Sequence, residues 1–381
     1  MSVSYVWSQD LIEYADKLPS NEGRASRVHS LIESFGLLEK CKIIECEPCR
    51  LSQLYKFHDR GYIDYIMSGH DSEDKLAEEE HYGESDSEDG DRNALYGLQY
   101  DCPYFEGLPQ YVTHVAGATV QASDSLLNNE SQIAIHWNGG RHHARKAKSA
   151  GFCYVNDIVL AILRLREKFS TIMYIDFDLH HGDGVEAAFL HSKNVITLSI
   201  HRYGRGFYPS TGGDFKNAKR YPTAINVPLK RGASDELLKK LCREIVAPAI
   251  ATHRPDAFVV NFGSDGLARD EHAEWNLTID SFKFALDLVM EKGKPTLIVG
   301  GGGYHNQDTA RCWTYLTATA LGVVDMIDWE DIPEHEFYNE YKEDGYRFAI
   351  TCVQRKDEND AEYVADLIET VVTEYNLTGE S

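Results

Sequence analysis

From about residue 95 onward, apolar runs of strand length alternate with stretches of helical spacing. Strands are expected at 132–137, 171–178, 195–201, 224–228, 257–262 and 296–299. Helices are expected around 114–127, then at 156–169, 185–189, 235–251, 279–290 and 309–321, with a closing helix at 361–375. A long Gly/Tyr/Pro loop occupies 202–221. Strands that alternate with helices predict a parallel sheet covered on both faces. The N-terminal third is less regular. Val28, Leu31, Ile32 and Phe35 give 24–37 a helical spacing, and 51–67 reads as further short helices. No internal repeat is evident.

One stretch breaks the pattern. Residues 71–92 carry eleven acidic residues against two basic ones, without apolar periodicity. Such a segment buries too little surface to offset its ordering entropy, so a disordered acidic insert is expected, with Ser85 and Ser87 as candidate phosphate acceptors. The 381 residues are 43% hydrophobic, enough for a large core, and one domain over 1–381 is expected. No apolar run has the length of a membrane span, and the N-terminus lacks signal architecture, so neither membrane nor secretion is expected. A formal net charge of -23 argues against a phosphate-seeking, nucleic-acid-binding surface and suits solubility or cationic partners. Eight dispersed cysteines read as reduced thiols, and the lone Cys46-x-x-Cys49 has no second pair to complete a zinc site.

The candidate chemistry lies in four loops, each after an expected strand. Asp176-Phe177-Asp178-Leu179-His180-His181-Gly182-Asp183-Gly184 runs from a strand into a helix. On an extended backbone Asp178 and His180 point to one side, and a carboxylate with an imidazole suits zinc. The plainer reading is a polar turn. The other loops carry His142-His143 after two glycines, Asp265 after Phe262, and the run Gly300-Gly301-Gly302-Gly303 before Tyr304. A glycine run alone also fits phosphate binding, but it lacks the P-loop ending and the dinucleotide spacing. Taken together the loops describe hydrolysis of an amide or ester. Asp178, His180 and Asp265 supply three ligands and leave a position open for water. His142 and His143 provide base and proton relay, Asp176 and Asp183 orient them, and Tyr304 donates to an oxyanion.

The segments HWNGGRHHARKAKSAGFCYVNDIVLAILRL, YIDFDLHHGDGVEAAF, LSIHRYGRGFYPSTGGD and GGGGYHNQDTARCWTYLT closely resemble the class I zinc-dependent histone deacetylases, over about residue 24 to the C-terminus apart from the acidic insert. The short C-terminus resembles the small stand-alone branch that includes cohesin deacetylases. The resemblance implies an arginase-like α/β fold with an eight-stranded parallel sheet and hydrolysis of N6-acetyl-lysine in proteins, histones or cohesin among them. It places zinc, or ferrous iron in vivo, on Asp178, His180 and Asp265. It makes His143 the general base, His142 its electrostatic partner and Tyr304 the group that polarises the acetyl carbonyl. Phe152 and Tyr208 become tunnel walls, Gly151 and Gly302 line the substrate, Asp101 holds its backbone and Arg24 sits at the tunnel foot. A monovalent cation, K+ or Na+, falls to Asp176, Ser199 and Ile200 with the backbone of Asp178 and His180, and a second to carbonyls of Phe189, Ser192, Val195 and Thr223. Residence in the nucleus is implied, with the cytoplasm as the alternative.

The chain departs from that family at several points. Arg141 replaces an apolar residue beside the histidine pair and bears on the family's internal product channel. Arg269 replaces a glycine and His272 an apolar rim residue, which places both at the mouth as specificity candidates. Glu271 and Gln307 stand where corepressor-bound members carry inositol-phosphate-binding arginines, which argues against that assembly. An acetylpolyamine-type amidohydrolase and an idle acetyl-lysine-binding scaffold are the competing readings.

Overall fold

The computed structural model describes residues 2–69, 88–350 and 354–377. Its centre is one eight-stranded, all-parallel sheet: β1 Val3–Val6, β2 Lys42–Ile44, β3 Ile133–His136, β4 Ile172–Asp176, β5 Val195–Arg202, β6 Ala224–Leu229, β7 Ala257–Asn261 and β8 Thr296–Val299. The spatial order is β2-β1-β3-β8-β7-β4-β5-β6. The central strands are buried along their whole length, as a sheet with both faces covered requires. The strand alternation shares their side chains between two cores. Met173, Ile175 and Phe177 enter one, whereas Ile172 and Tyr174 enter the other.

Register decides where the chemistry sits. His136 pairs with Val299, Val299 with Asn261, Asn261 with Asp176 and Asp176 with Ser199. These residues form a single row at or near the carboxyl ends of five neighbouring strands. The loops that follow β3, β8, β7 and β4 therefore open side by side, where parallel sheets place their ligands.

The alternating pattern located six of the eight strands. It did not show β1 and β2, of four and three residues, which are too short for a period to emerge. The helix expected from 114 starts at Leu108: Gly107 turns with φ 91° and Pro109, which reads as a breaker, occupies the first turn, where its missing N–H costs nothing. The helix expected over 235–251 contains a π-turn, Cys242–Val246, just before Pro248. The acidic insert needs a correction at its end, because residues 88–92 belong to a helix, Glu88–Tyr96. Its remainder, with Ser85 and Ser87, lies outside the described residues. No described helix is long and apolar enough to cross a membrane. Cys46 and Cys49 are buried, and burial holds both thiols above their usual range, Cys49 at about 12.

Candidate metal centre and active site

Strand β4 ends at Asp176, so Asp178 and His180 lie on a loop and not on the extended strand expected there. Asp176 itself causes the turn. Its Oδ1 accepts from the Asp178 N–H at 3.1 Å and from Asn261 Nδ2 at 2.9 Å, which folds the chain back at the strand end. Asp178 repeats the motif by accepting from the His180 N–H at 2.9 Å. The loop nevertheless brings Asp178 and His180 to one point, and Asp265, after β7, joins them. One ligand atom from each lies within 4.8 Å of the others, all three side chains being buried. Among the described residues this is the one such cluster.

The cradle fits a small divalent cation by its chemistry. Two carboxylates and one imidazole are buried together, Asp178 Oδ2 accepts from the Gly302 N–H at 2.7 Å, and Asp265 Oδ1 accepts from the Leu179 N–H at 2.9 Å. Each carboxylate is thus aimed by backbone N–H groups, and its oxygens keep lone pairs for the centre. Burial opposes charge on the His180 ring, but Asp178 and Asp265 outweigh it and raise His180 to about 10. Two glycines make the approach close enough. A Cβ on Gly263 would stand 2.0 Å from Asp178 Oδ2, and one on Gly302 2.4 Å from Asp265 Oδ2.

Two Asp–His pairs flank the cradle. His142 Nδ1 meets Asp176 Oδ2 at 2.8 Å, and His143 Nδ1 meets Asp183 Oδ1 at 2.7 Å. The rings are 3.9 Å apart, yet their electrostatics differ. Burial works against charge on His142, but Asp178 and Asp176 prevail and raise it to about 9. Burial, and then the charge on His142, lowers His143 to about 4. One imidazolium beside one neutral imidazole is the result, and the neutral ring has Nε2 unbonded among the described residues.

Tyr304 is placed through its backbone. Its N–H donates to Asp270 Oδ2 at 2.7 Å, and its ring packs against Phe152 at 5.6 Å and His272 at 4.7 Å. Phe152, Gly151, His143 and Tyr304 line one cleft with Arg141 and Asn21. Tyr208 stands edge-on to His143 at 4.9 Å, 40% exposed at the mouth. Phe207, which the sequence reading passed over, stacks on His180 at 5.1 Å with a 4° interplanar angle. Asp101 Oδ2 accepts from the Gly151 N–H at 2.6 Å. His272 lies 4.8 Å from the His180 ring, and its Nδ1 meets Asp270 Oδ1 at 3.0 Å.

Arg24 donates to the carbonyls of Gly301 and Gly303 at 3.1 and 2.9 Å. Arg141 is buried against the carbonyl of Asn138, at 2.9 Å from Nη2. Neither guanidinium bonds to a carboxylate among the described residues. Burial, then the charge of Arg141, brings Arg24 down to about 9. Arg269 is not a mouth residue: it is bound to Asp308 and Asp344, because two carboxylates outcompete solvent for its fork.

The residues assigned to monovalent cations also meet. Asp176 and Ser199 are cross-strand partners beside buried Ile200, and Ser199 Oγ lies 2.9 Å from His201 Nδ1. In the second group the Phe189 carbonyl accepts from the Ser192 N–H at 2.7 Å, the Ser192 carbonyl from Thr223 Oγ1 at 2.8 Å, and Ser192 Oγ from the Val195 N–H at 3.1 Å. Sequence reading missed Tyr174 and Asn261 on Asp176, Arg145 on Asp183, and Asp270. Arg145 Nη1 donates to the Asp183 carbonyl at 2.9 Å, and Tyr174 to Asp176 Oδ2 at 2.5 Å. An outward signal existed only for Arg145, as a cation two residues after the histidine pair.

A parallel α/β sheet with this cradle and paired imidazoles at its carboxyl edge defines a class, the metal-dependent amide hydrolases of arginase-like fold. Within that class the chain belongs to the histone deacetylase family, hydrolases that deacetylate lysine and depend on zinc. The family profile described as "Histone deacetylase domain" matches residues 18–320. The chain is 40% identical to "Histone deacetylase 8" of Xenopus tropicalis over 370 residues, 96% of each chain. It is 38% identical to "Histone deacetylase 8" of Danio rerio, over 97% of this chain and 94% of that one. "Histone deacetylase HOS1" of Saccharomyces cerevisiae is 33% identical, over 89% of this chain and 91% of its own.

Proposed function

We propose that the chain, over 1–381 as one domain, hydrolyses N6-acetyl-lysine in proteins, histone tails and non-histone proteins such as a cohesin subunit, with zinc on Asp178, His180 and Asp265. The observation that carries this is the placement of His142 and His143, each held at Nδ1 by a buried carboxylate, against that three-ligand cradle and across one cleft from Tyr304. Zinc, when bound, supplies Lewis acidity toward the acetyl carbonyl and brings the acidity of water toward neutrality. His143 Nε2 takes the proton of the attacking water as its oxygen bonds to the acetyl carbon. As the C–N bond breaks, the proton passes to the departing lysine amine and acetate remains. His142, held charged by Asp178 and Asp176, offsets negative charge on the tetrahedral centre. The Tyr304 hydroxyl donates a hydrogen bond to the carbonyl oxygen as charge collects there.

Phe152 and Tyr208 form walls for the aliphatic lysine stem, with Gly151, Gly302 and His272 around the acetamide. Asp101, braced by the Gly151 N–H, keeps its other oxygen for the peptide backbone. K+ or Na+ would lie at Asp176, Ser199 and Ile200, and at Phe189, Ser192, Val195 and Thr223. The nucleus is the proposed residence, as the relatives' names as histone deacetylases suggest. Glu271 is exposed and Gln307 is held by Glu340 at 3.1 Å, so neither position offers the cation an inositol phosphate would need.

The test is turnover by zinc-loaded protein of acetyl-lysine peptides from histone tails and cohesin, beside an acetylpolyamine. Peptide hydrolysis that Asp178→Asn abolishes is expected. Acetylpolyamine turnover alone would replace this reading with a small-molecule amidohydrolase, and binding of peptide without release of acetate would replace it with a scaffold.

A further inference from the structure

Four charged side chains close a ring next to the loop that carries Tyr304. Arg269 Nε donates to Asp308 Oδ2 at 2.7 Å, and its Nη1 and Nη2 donate to the two oxygens of Asp344 at 2.6 and 2.9 Å, while Nη2 also reaches Asp308 Oδ1. Arg311 donates to the same two carboxylates, to Asp308 Oδ1 at 2.7 Å and Asp344 Oδ2 at 2.8 Å. The ring is neutral and largely dry: Arg311 is 0% exposed and Asp308 1%.

Its members come from three parts of the chain. Asp308 and Arg311 lie three residues apart at the start of the Asn306–Leu321 helix, which follows Tyr304 directly. Asp344 ends the short helix Tyr338–Asp344. Arg269 alone comes from the loop after Asp265, and the residue after it is Asp270. The buried Asp270 carboxylate accepts from the Tyr304 N–H with Oδ2 and from the His272 N–H and Nδ1 with Oδ1, each at 3.0 Å or less. On its other side the loop is pinned by the Ala268 N–H to the Leu277 carbonyl at 2.9 Å. Among the described residues Arg269 is therefore the one ionic tie between the loop that holds the Tyr304 backbone and the helix that follows Tyr304. A planar fork gripping two carboxylates fixes direction as well as distance, which a lysine ammonium does not.

We propose that Arg269 is a positioning residue for Tyr304: gripping Asp308 and Asp344, it fixes Asp270, and through Asp270 the tyrosine backbone and the His272 ring beside it. This rests on the reading of Tyr304 as the donor to the reacting carbonyl. It assigns to a residue outside the cleft a share in the geometry within it.

The test uses the full zinc-loaded chain and three variants, Arg269→Met, Arg269→Lys and the double variant Arg269→Met/Asp344→Asn. Removing Arg269 alone leaves Arg311 shared between two carboxylates, with one negative charge in excess, and lowers the melting temperature, whatever the residue's role. The double variant returns the ring to neutrality with Asp308 and Arg311 paired, so its melting temperature recovers. If Arg269 positions Tyr304, kcat falls about tenfold in Arg269→Met, with KM within about twofold, and stays low in the double variant. Arg269→Lys falls between. Hydrogen exchange at the Tyr304 amide speeds up in both Met variants, a readout that needs no turnover. Recovery of kcat and amide protection together with stability in the double variant would show a structural tie only and overturn the proposal. If the parent protein hydrolysed no acetyl-lysine peptide, the activity reading would fail, while the exchange rates would still decide the clamp.

Discussion

Adjacent histidines with opposite protonation show how finely single residues are set in this site. His142 and His143 are equally buried and differ through their partners, one facing two carboxylates and the other facing its charged neighbour. Tyr304→Phe removes only the phenolic donor, so turnover should fall about 100- to 1000-fold while zinc and acetyl-lysine peptide still bind, as steady-state kinetics and peptide titration would show. Gly263→Ala puts a methyl group onto Asp178, whose oxygen would lie 2.0 Å from it. Zinc affinity should drop about 10- to 100-fold in a chelator competition with the fold retained. That Asp178, His180 and Asp265 meet, with the histidine pair beside them, was legible in the sequence, since these residues follow strand runs and have few plain uses at such places. Asp270 and Phe207 were not. An aspartate that holds a backbone N–H, and a phenylalanine stacked on a ligand, look like any loop residues until the fold brings Tyr304 and His180 to them.

Among the elements, long buried strands declared themselves and short ones did not. β4 and β7 are apolar runs with a ligand-bearing loop after each, whereas β1 and β2 draw their definition from pairing with β3 and with each other. Arg269 is the opposite lesson: a departure at a rim position suggested a role at the mouth, and two distant carboxylates, unforeseeable from spacing, took the side chain elsewhere. The ring they form should be visible in acid. Hydrogen bonds from Arg269, and the charge of Arg311, lower Asp344 to about 2, below the usual aspartate value of about 4. A depressed folded value means that stability from this group is complete above pH about 4 and lost as the pH falls through about 2. Asp344→Asn should therefore flatten that part of the acid-denaturation curve and leave the neutral region less stable than the parent.

For the molecule as a whole, the charge of -23 acts at a distance from the chemistry. Lysine-rich peptides should be drawn in by this field, so their KM should rise several-fold between about 0.05 and 0.3 M salt with kcat nearly constant. A neutral acetyl-lysine peptide should show little change in the same series.

The place of β8 has a bearing on how the protein is born. In space it lies between β3 and β7, but of these eight strands it is the last to leave the ribosome. Until residue 299 emerges, β2-β1-β3 and β7-β4-β5-β6 have no strand to join them, and the edges of β3 and β7 that β8 covers are open to pairing with the wrong strand. Asp178, His180 and Asp265 are already out by then, yet the Gly302 N–H that aims Asp178 is not. The chain must be made through Gly302 before either the sheet or the cradle can close.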